Sequence, residues 1–557
     1  MVAGGGLRAA ARERLTERRH FPVLIVGAGI NGCGLFRELS LQGIDCLLVD
    51  RGDFCSGTSA APSRLIHGGL KYLETGEFRL VAESTLERNR LLANAPHLVR
   101  PLQTVVPATR WLSGIWPSLV RFLGGKAKLA DRGALVLRLG LLLYDWYGRR
   151  ERKMPVSSFL TRRAALASLP SLRPDIVGLG TYYDAMVLAP ERLGMELVLD
   201  ALAAHPPSLA INHMALAGRQ GAEIVLQDVL DGSEQRVTAD LVVNATGPWI
   251  DATNAKLSVE RRYIGGTKGS HLLLKHPALV RELDGRMVYF GTDDGRICLV
   301  FPFLGLALVG STDIPIEDPD KASCKADEVA YMLDAVRSLF PGLAVGEAQI
   351  VYRYSGVRPL PASDADDPGA ISRDHSVPLD EPEGDRPFPL LSLVGGKWTT
   401  FRAFSEEVAD EILSRLGHVR HRQTRDLAIG GGRDYPASPA QRQAWIRQES
   451  QRSGLDPERL AALLERYGTT ASRIAERCGA AGDPMLSSLP DYGRGELEAL
   501  VKDEMVGRLS DLLLRRTTIA ITGRLKPAVV QEVAEIAAPL LGWDRERMAR
   551  EIAETLS

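Results

Sequence analysis

The chain has 557 residues, enough for two to four domains, and its 45% hydrophobic and 25% charged residues are ordinary for a globular protein. A formal net charge of −1 argues against a polyelectrolyte partner for the whole chain, and no run of 18 uncharged apolar residues predicts a transmembrane span. Cys33, Cys46, Cys55, Cys298, Cys324 and Cys478 show neither C-x-x-C nor metal spacing, which predicts reduced thiols and no metal site.

Residues 1–20, "MVAGGGLRAAARERLTERRH", lack the apolar stretch of a signal peptide and read as a mobile or weakly helical arm. Val23 to Val26 then read as a short buried strand. Gly27, Gly29 and Gly32 follow in G-x-G-x-x-G spacing, and helical periodicity continues beyond them. Strand, tight turn and helix in that order bring free N–H groups and a partial positive charge to a pyrophosphate. A second strand, "CLLVD", ends in Asp50, 23 residues after Gly27, where an acidic side chain meets ribose hydroxyls. A loop of small residues follows, in which "SGTS" (56–59) offers hydroxyls and N–H groups. "LIHGGLKYL" leads into a helical stretch that ends near residue 95.

Residues 100–153 carry eleven Lys or Arg against three Asp or Glu, and three of the seven tryptophans: Trp111, Trp116 and Trp146. "TRWLSGIWPSLVRFLGGKAK" and "ALVLRLGLLLYDWYGRR" mix cations with Trp and Leu but are too short to span a bilayer. They read as segments that lie in a membrane interface; packing on the protein as ordinary amphipathic helices is the plainer alternative. The basic surplus is local and no nucleic-acid-binding module is visible, so no nucleic-acid partner is expected.

"ADLVVNATGPWIDA" returns to a buried strand, Leu241 to Asn244, and a small-residue turn, Ala245 to Gly247. Residues 260–365 alternate strand-like runs with turn signals and predict a mostly antiparallel sheet. "PLLSLVGGKWTTFRAFSEEVADEIL" reads as strand, Gly395-Gly396 turn and helix, and the patterns beyond about residue 410 are helical. Three small-residue turns after apolar strands suggest a large dinucleotide threaded along strand ends, FAD rather than NAD.

In order, "GAGINGCG", "DRGDFCSGTSAAPSRLIHGGLKYLETGEFRLV", "NATGPW", "KGSH", "GSTD", "YSGVRPL", "SRDH" and "GGKWTTFR" resemble FAD-dependent respiratory glycerol-3-phosphate dehydrogenases, within the glycine/D-amino acid oxidase class. The match covers about residues 21–405, and "LSDLLLRRTTIAITGRL" resembles the family's C-terminal domain more loosely. The resemblance implies an α/β fold: a Rossmann-like FAD-binding domain, a β-rich substrate domain and a helical C-terminal domain. The expected boundaries are an arm at 1–20, the FAD domain at 21–260, the substrate domain at 261–390, a return to the FAD domain at 391–410 and the helical domain at 411–557. FAD is expected without a covalent bond, although His67 lies near it.

The resemblance places FAD on Gly27, Gly29, Asn31, Gly32, Asp50, Arg51, Thr58, Ser59, Ser63, Leu65, His67, Gly68, Gly69, Ala245, Gly247, Gly396, Lys397 and Thr399. The substrate, glycerol 3-phosphate, is expected on Lys71, Tyr72, Arg358, Arg373 and Lys397, with Lys71 standing where the family's commonest form has Arg. Arginine can grip phosphate through paired N–H groups, whereas lysine acts as a point charge. Alone, each of these cations reads as a solvated surface charge. The implied catalytic residues are His271, Arg358 and Lys397, with His271 able to accept the C2 hydroxyl proton and the base left open among the three. The implied reaction is oxidation to dihydroxyacetone phosphate, with electrons passing through FAD to a membrane quinone. A peripheral place on the cytoplasmic face of the membrane follows from that acceptor, and a homodimer is left open. The rivals are an oxidase that uses oxygen and an amine or amino-acid oxidase of the same class, which would need a carboxylate clamp and no phosphate site.

Overall fold

The structure, a computed structural model, describes residues 6–70, 77–111, 133–292, 294–362, 375–481 and 483–557. Two sheets organise the first three-quarters of the chain. The strand His20–Val26 lies between Cys46–Val49 and Glu234–Asn244, parallel to both, with Val23 opposite Cys46 and Leu241. Leu209–Ile211 extends the sheet on one side and Leu390–Ser392 on the other, both parallel. Parallel strands covered on both faces must be apolar throughout, and the run Val23, Leu24 and Ile25 is wholly buried. The helix Ile30–Leu41 packs between Pro190–Ala204 and Phe401–Arg415. Gly34 permits that approach, since a Cβ there would stand 2.9 Å from Cδ2 of Phe401.

The second sheet is mainly antiparallel. It contains Ile264–Leu274, Ile297–Phe303, Leu306–Gly310 and Ile350–Pro361, as the alternation predicts. It also takes in Leu65–Ile66, Val99–Ala108, Ser158–Thr161 and Gly178–Val187, joined through the parallel pair of Val99–Ala108 with Arg286–Gly291. The substrate-side sheet therefore does not begin at residue 261. Strands inside the expected FAD domain belong to it, because pairing partners lie up to about 200 residues away and leave no local signature.

The N-terminal arm also differs from expectation. Leu7–Glu17 is a helix with Ala11 and Leu15 in the core, and buried Arg8 pairs with Asp228 at 2.8 Å. All six cysteines are free thiols.

The tail is helical and has its own core, which includes Leu460, Leu463, Ile474, Val530 and Val533. Ser438, Asp456 and Asp544 cap three of its helices through side-chain oxygens, and proline opens the first two. A buried ionic cluster docks this unit under the nucleotide-side sheet. Arg516 grips Asp53 at 2.7 and 2.8 Å, Arg515 bridges Asp53 and Asp511 at 2.6 Å each, and His213 meets Asp511 at 2.9 Å. Arg192 forks onto Glu504 at 2.5 and 2.7 Å. Asp53, His213 and Asp511 bring ligand atoms within 4.8 Å of one another, yet the two arginines already neutralise both carboxylates.

Candidate functional site

The first turn shows why each glycine stands where it does. Gly27 has φ +102°, and a Cβ on it would lie 2.7 Å from the carbonyl of Ala245. A Cβ on Gly32 would lie 1.9 Å from the Gly27 oxygen. Both positions are explained by packing of strand, turn and helix. Gly29 is different: a Cβ there would meet only Ser59 Oγ, at 3.2 Å, so the backbone stays open to approach by a ligand. Ser59 Oγ also accepts the helix N-terminal N–H of Ile30 at 2.9 Å. The Asp50 carboxylate accepts from Ala28 N at 2.6 Å and Gly52 N at 2.8 Å, tying the second strand to the turn.

The three turns predicted from sequence converge. Ala245 lies against Gly27, and Gly247, at φ +61°, has open space beside it. Gly395 and Gly396 have φ of +78° and +89°, and Asn31 Nδ2 donates to the Gly395 carbonyl at 3.3 Å. Asn31 Oδ1 is buried with no hydrogen-bond partner among the described residues. An unmet buried acceptor beside an open glycine, between three converging turns, fits a dinucleotide such as FAD.

A cleft of ≈ 190 Å³ opens between the two sheets. Thr58, Ser63, Leu65 and His67 line one side of it, and Gly396, Lys397 and Thr399 another. Thr399 Oγ1 bonds the backbone of His67, at 3.1 Å from N and 3.3 Å from O, so the third turn and the 65–69 segment move as one. Thr58 Oγ1 donates to the Val357 carbonyl at 2.6 Å.

His271 and Arg358 reach the cleft from adjacent antiparallel strands, where Thr267 pairs with Arg358, Gly269 with Gly356 and His271 with Tyr354. Residues two apart share a face of a strand, so "KGSH" and "YSGVR" present His271, Tyr354 and Arg358 on one face with two glycines between. The glycines make room: a Cβ on Gly269 would sit 2.4 Å from Arg358 Nη2, and one on Gly356 would sit 2.7 Å from Ala61 Cβ. Arg358 is oriented by Asp313 at 2.8 Å, Ser311 Oγ at 3.1 Å and the Thr312 carbonyl at 3.2 Å.

His271 is only 2% exposed. Its ring stacks on Tyr354 with centroids 4.9 Å apart, and Nε2 lies 2.8 Å from Ser63 Oγ. Burial, with the cations of Arg358 and Arg64 nearby, pushes the imidazole down to about 3, so it is neutral at working pH.

Behind these residues stands Glu328, which sequence reasoning did not single out. Its carboxylate accepts from Ser270 Oγ and Thr312 Oγ1, both at 2.7 Å, and pairs with Lys268 at 2.5 Å. It thereby fixes "KGSH" against "GSTD". Burial alone would raise its pKa, but the Lys268 ammonium and the other donors hold Glu328 below the usual carboxylate range.

Two residues expected at the cofactor, Arg51 and Gly68, make contacts within the protein. Arg51 lies over the Trp249 ring at 4.6 Å and pairs with Asp320. Gly68 donates to Tyr144 Oη at 3.0 Å and Asp184 Oδ1 at 3.1 Å, and a Cβ there would strike Tyr144 Oη at 2.4 Å; close packing accounts for this glycine. Gly69 takes a left-handed conformation beside it, at φ +76°. Lys71, Tyr72 and Arg373 lie outside the described residues.

The helix Ala134–Tyr147 buries Leu137, Leu141 and Tyr144 and leaves Leu135, Leu139, Leu142, Leu143 and Trp146 exposed. The exposed set follows helical spacing and forms a second apolar face opposite the first. Leu139 and Leu142 are 60% and 65% exposed. Trp116 and Leu119 lie outside the described residues. Among the described residues no helix is long and apolar enough to cross a membrane.

Residues 22–379 match the family model described as FAD dependent oxidoreductase, and residues 422–548 match the C-terminal domain of alpha-glycerophosphate oxidase. A glycerol-3-phosphate dehydrogenase of Synechocystis sp. is 30% identical over 559 residues, covering 96% of this chain and 95% of its own. One from Pseudomonas aeruginosa is 31% identical over 523 residues, covering 90% and 92%. Among solved structures, the glycerol-3-phosphate dehydrogenase from Bacillus halodurans complexed with FAD has the same fold, with a TM-score of 0.76 at 22% identity over 99% of this chain and 96% of that one.

Proposed function

The chain belongs to the FAD dependent oxidoreductase family, and we propose that it oxidises sn-glycerol 3-phosphate to dihydroxyacetone phosphate and delivers the electrons to a membrane quinone. FAD, when bound, supplies the acceptor for the C2 hydride. The residues that would hold it are those of the three turns, with Gly29, Asn31, Asp50, Gly247 and Gly396 foremost. The other tasks fall to the cleft. Arg358 and Lys397 supply cations for a phosphate dianion, and Asp313 sets the plane of the Arg358 fork before the ligand arrives. His271, neutral in its buried place, has a ring nitrogen that can take a proton as the alcohol becomes a ketone, against the burial that disfavours the imidazolium.

The observation that carries this reading is the meeting of His271, Arg358 and Lys397, from three separate stretches of the chain, in one cleft beside the Gly395-Gly396 turn. Anaerobic mixing of the FAD-loaded protein with glycerol 3-phosphate tests it. The oxidised flavin band near ~450 nm, a property of the cofactor, should bleach with glycerol 3-phosphate and far less with glycerol. Equal bleaching by both would remove the phosphate site.

The choice of quinone rests on the second apolar face of Ala134–Tyr147, flanked by Arg149, Arg150, Arg152 and Lys153. Trp and Leu with neighbouring cations suit the interface of an anionic bilayer, where a quinone is dissolved. We place the protein peripherally, on the cytoplasmic face. Co-sedimentation with anionic liposomes, read together with peroxide formation in air, decides between this reading and the oxidase. A protein that stays in the supernatant and makes stoichiometric peroxide would favour the oxidase.

A further inference from the structure

We propose that Ser63 is a catalytic residue: its hydroxyl carries the proton of the substrate's C2 alcohol to His271. The proposal rests on the glycerol 3-phosphate reading above and adds a step to it.

Among the described residues, the geometry around His271 leaves one polar way in. Tyr354 covers a face of the imidazole at 4.9 Å, and the Gly310 backbone closes an edge so tightly that a Cβ there would lie 2.1 Å from Cδ2. Nδ1 is buried and has no hydrogen-bond partner among the described residues. Nε2 faces Ser63 Oγ at 2.8 Å. Ser63 itself lines the cleft beside Arg358 and Lys397 and is half-buried, so its hydroxyl has one side on the ring and one toward the ligand space.

The hydroxyl is also held in place. Tyr354, the residue that stacks on the ring, donates through its own hydroxyl to the Pro62 carbonyl at 2.9 Å. On the other flank, Arg64 adopts φ +59° and is pinned by Glu191 at 2.8 and 3.0 Å and by the Ala60 carbonyl at 3.2 Å. Tyr354 thus fixes both partners of the Ser63–His271 contact. A general base must reach its proton within hydrogen-bond distance, directly or through one intermediary, and the hydroxyl provides that intermediary.

The step balances. The alcohol O–H bond breaks and its proton bonds to Ser63 Oγ, while the proton already on Ser63 moves to His271 Nε2. Ser63 ends as a hydroxyl and His271 as an imidazolium. The C2–H bond breaks with its electron pair leaving as hydride, for which FAD, when bound, would supply the two-electron acceptor, and the C–O bond becomes C=O as the alcohol is oxidised. The phosphate dianion beside Arg358 offsets that cation and favours the imidazolium.

The test is the anaerobic rate of flavin bleaching by glycerol 3-phosphate in the full-length, FAD-loaded protein. Positioned proton transfer contributes typically 10²–10⁴-fold, so Ser63→Ala should slow bleaching by about 100-fold, with FAD retained and the half-saturating substrate concentration within about threefold. Ser63→Thr, which keeps the hydroxyl, should stay within about tenfold of wild type, whereas Ser63→Val, of the same shape, should not. The double variant Ser63→Ala, His271→Gln should be no slower than the slower single, because both act in one relay. Wild-type bleaching should also slow in D2O, and Ser63→Ala should lose that effect. Unchanged bleaching in Ser63→Ala, equal rates for the Thr and Val variants, or additive losses in the double variant would overturn the relay. Loss of colour from Ser63→Ala and Ser63→Val would overturn it too and make Ser63 a cofactor contact. A wild type that glycerol 3-phosphate does not bleach would instead sink the substrate reading itself.

Discussion

Acidification should weaken the folded protein through His271, and by an amount the structure sets. The imidazole is pushed from the ordinary 6.5 to about 3 by burial and by the cations of Arg358 and Arg64. In the unfolded chain it takes up a proton below about 6.5; in the fold it does so only near 3. The unfolded state therefore binds more protons across that window, and stability is complete above 6.5 and falls as the pH drops toward 3. Each pH unit inside the window is worth about 1.4 kcal/mol, so going from pH 7 to pH 5 costs about 2 kcal/mol from this one residue. The assay compares unfolding of wild type and His271→Gln at pH 7, 6 and 5 in saturating FAD, followed by far-ultraviolet circular dichroism. The variant loses packing at every pH, so only the pH-dependent part of the difference counts. The wild-type advantage should shrink by about 2 kcal/mol between pH 7 and pH 5. Parallel curves, or an advantage that grows with acid, would refute the placement of a neutral imidazole in a closed pocket.

Other expectations are as direct. Gly32→Ala should fail to fold, since its Cβ would meet the Gly27 oxygen at 1.9 Å, while Gly29→Ala should melt like wild type but bind FAD at least about tenfold more weakly in a fluorescence titration. Arg358→Ala should retain FAD and lose on the order of 10- to 100-fold in kcat/KM for glycerol 3-phosphate, because a charge-assisted contact is worth about 1.5–3 kcal/mol; a loss of the same size with glycerol would argue against a phosphate contact. Acid precipitation should release yellow colour into solution, and a yellow pellet would mean a covalent bond with His67 as the first suspect. Leu139→Ser, Leu142→Ser and Trp146→Ser together should reduce co-sedimentation with anionic liposomes while flavin bleaching in solution stays normal; undiminished binding would remove this helix from the membrane reading.

Legibility followed sequence distance. The glycine turns, Asp50 and the helical periodicity of the tail are local devices, and their spacing alone marks them. The alternation in residues 260–365 similarly predicts antiparallel strands. Long-range pairing is what escapes: Val99–Ala108 overlaps the stretch at 100–153 that reads as a basic membrane-interface segment, yet it is a strand of the second sheet, and Gly178–Val187 has no reading until its partner is known. The same holds for the site. Ser63 and His271 are 208 residues apart, and motif order associates Ser63 with the cofactor while the fold puts it on the imidazole. Glu328 left no signal, because a glutamate near the start of a helix is ordinary and its two hydroxyl partners come from a strand and from a loop elsewhere in the chain. The basic, Trp-rich segment was visible as composition. Which residues of Ala134–Tyr147 face outward needed the buried Leu137, Leu141 and Tyr144 to be identified first.

The ionic cluster under the nucleotide-side sheet has a consequence for the order in which the protein can be made. Asp53 sits three residues beyond Asp50, yet the guanidinium groups that neutralise it, on Arg515 and Arg516, lie 462 and 463 residues further along. A ribosome adding about 5–20 residues per second needs roughly half a minute to a minute and a half to cover that stretch. Throughout that time the nascent nucleotide loop has an acidic neighbour that lacks the guanidinium partners beside which it is buried in the finished fold. The first-made part of the cofactor site is thus completed by nearly the last-made part of the chain. A protein stalled or cut before residue 515 would expose that carboxylate and mark itself as unfinished.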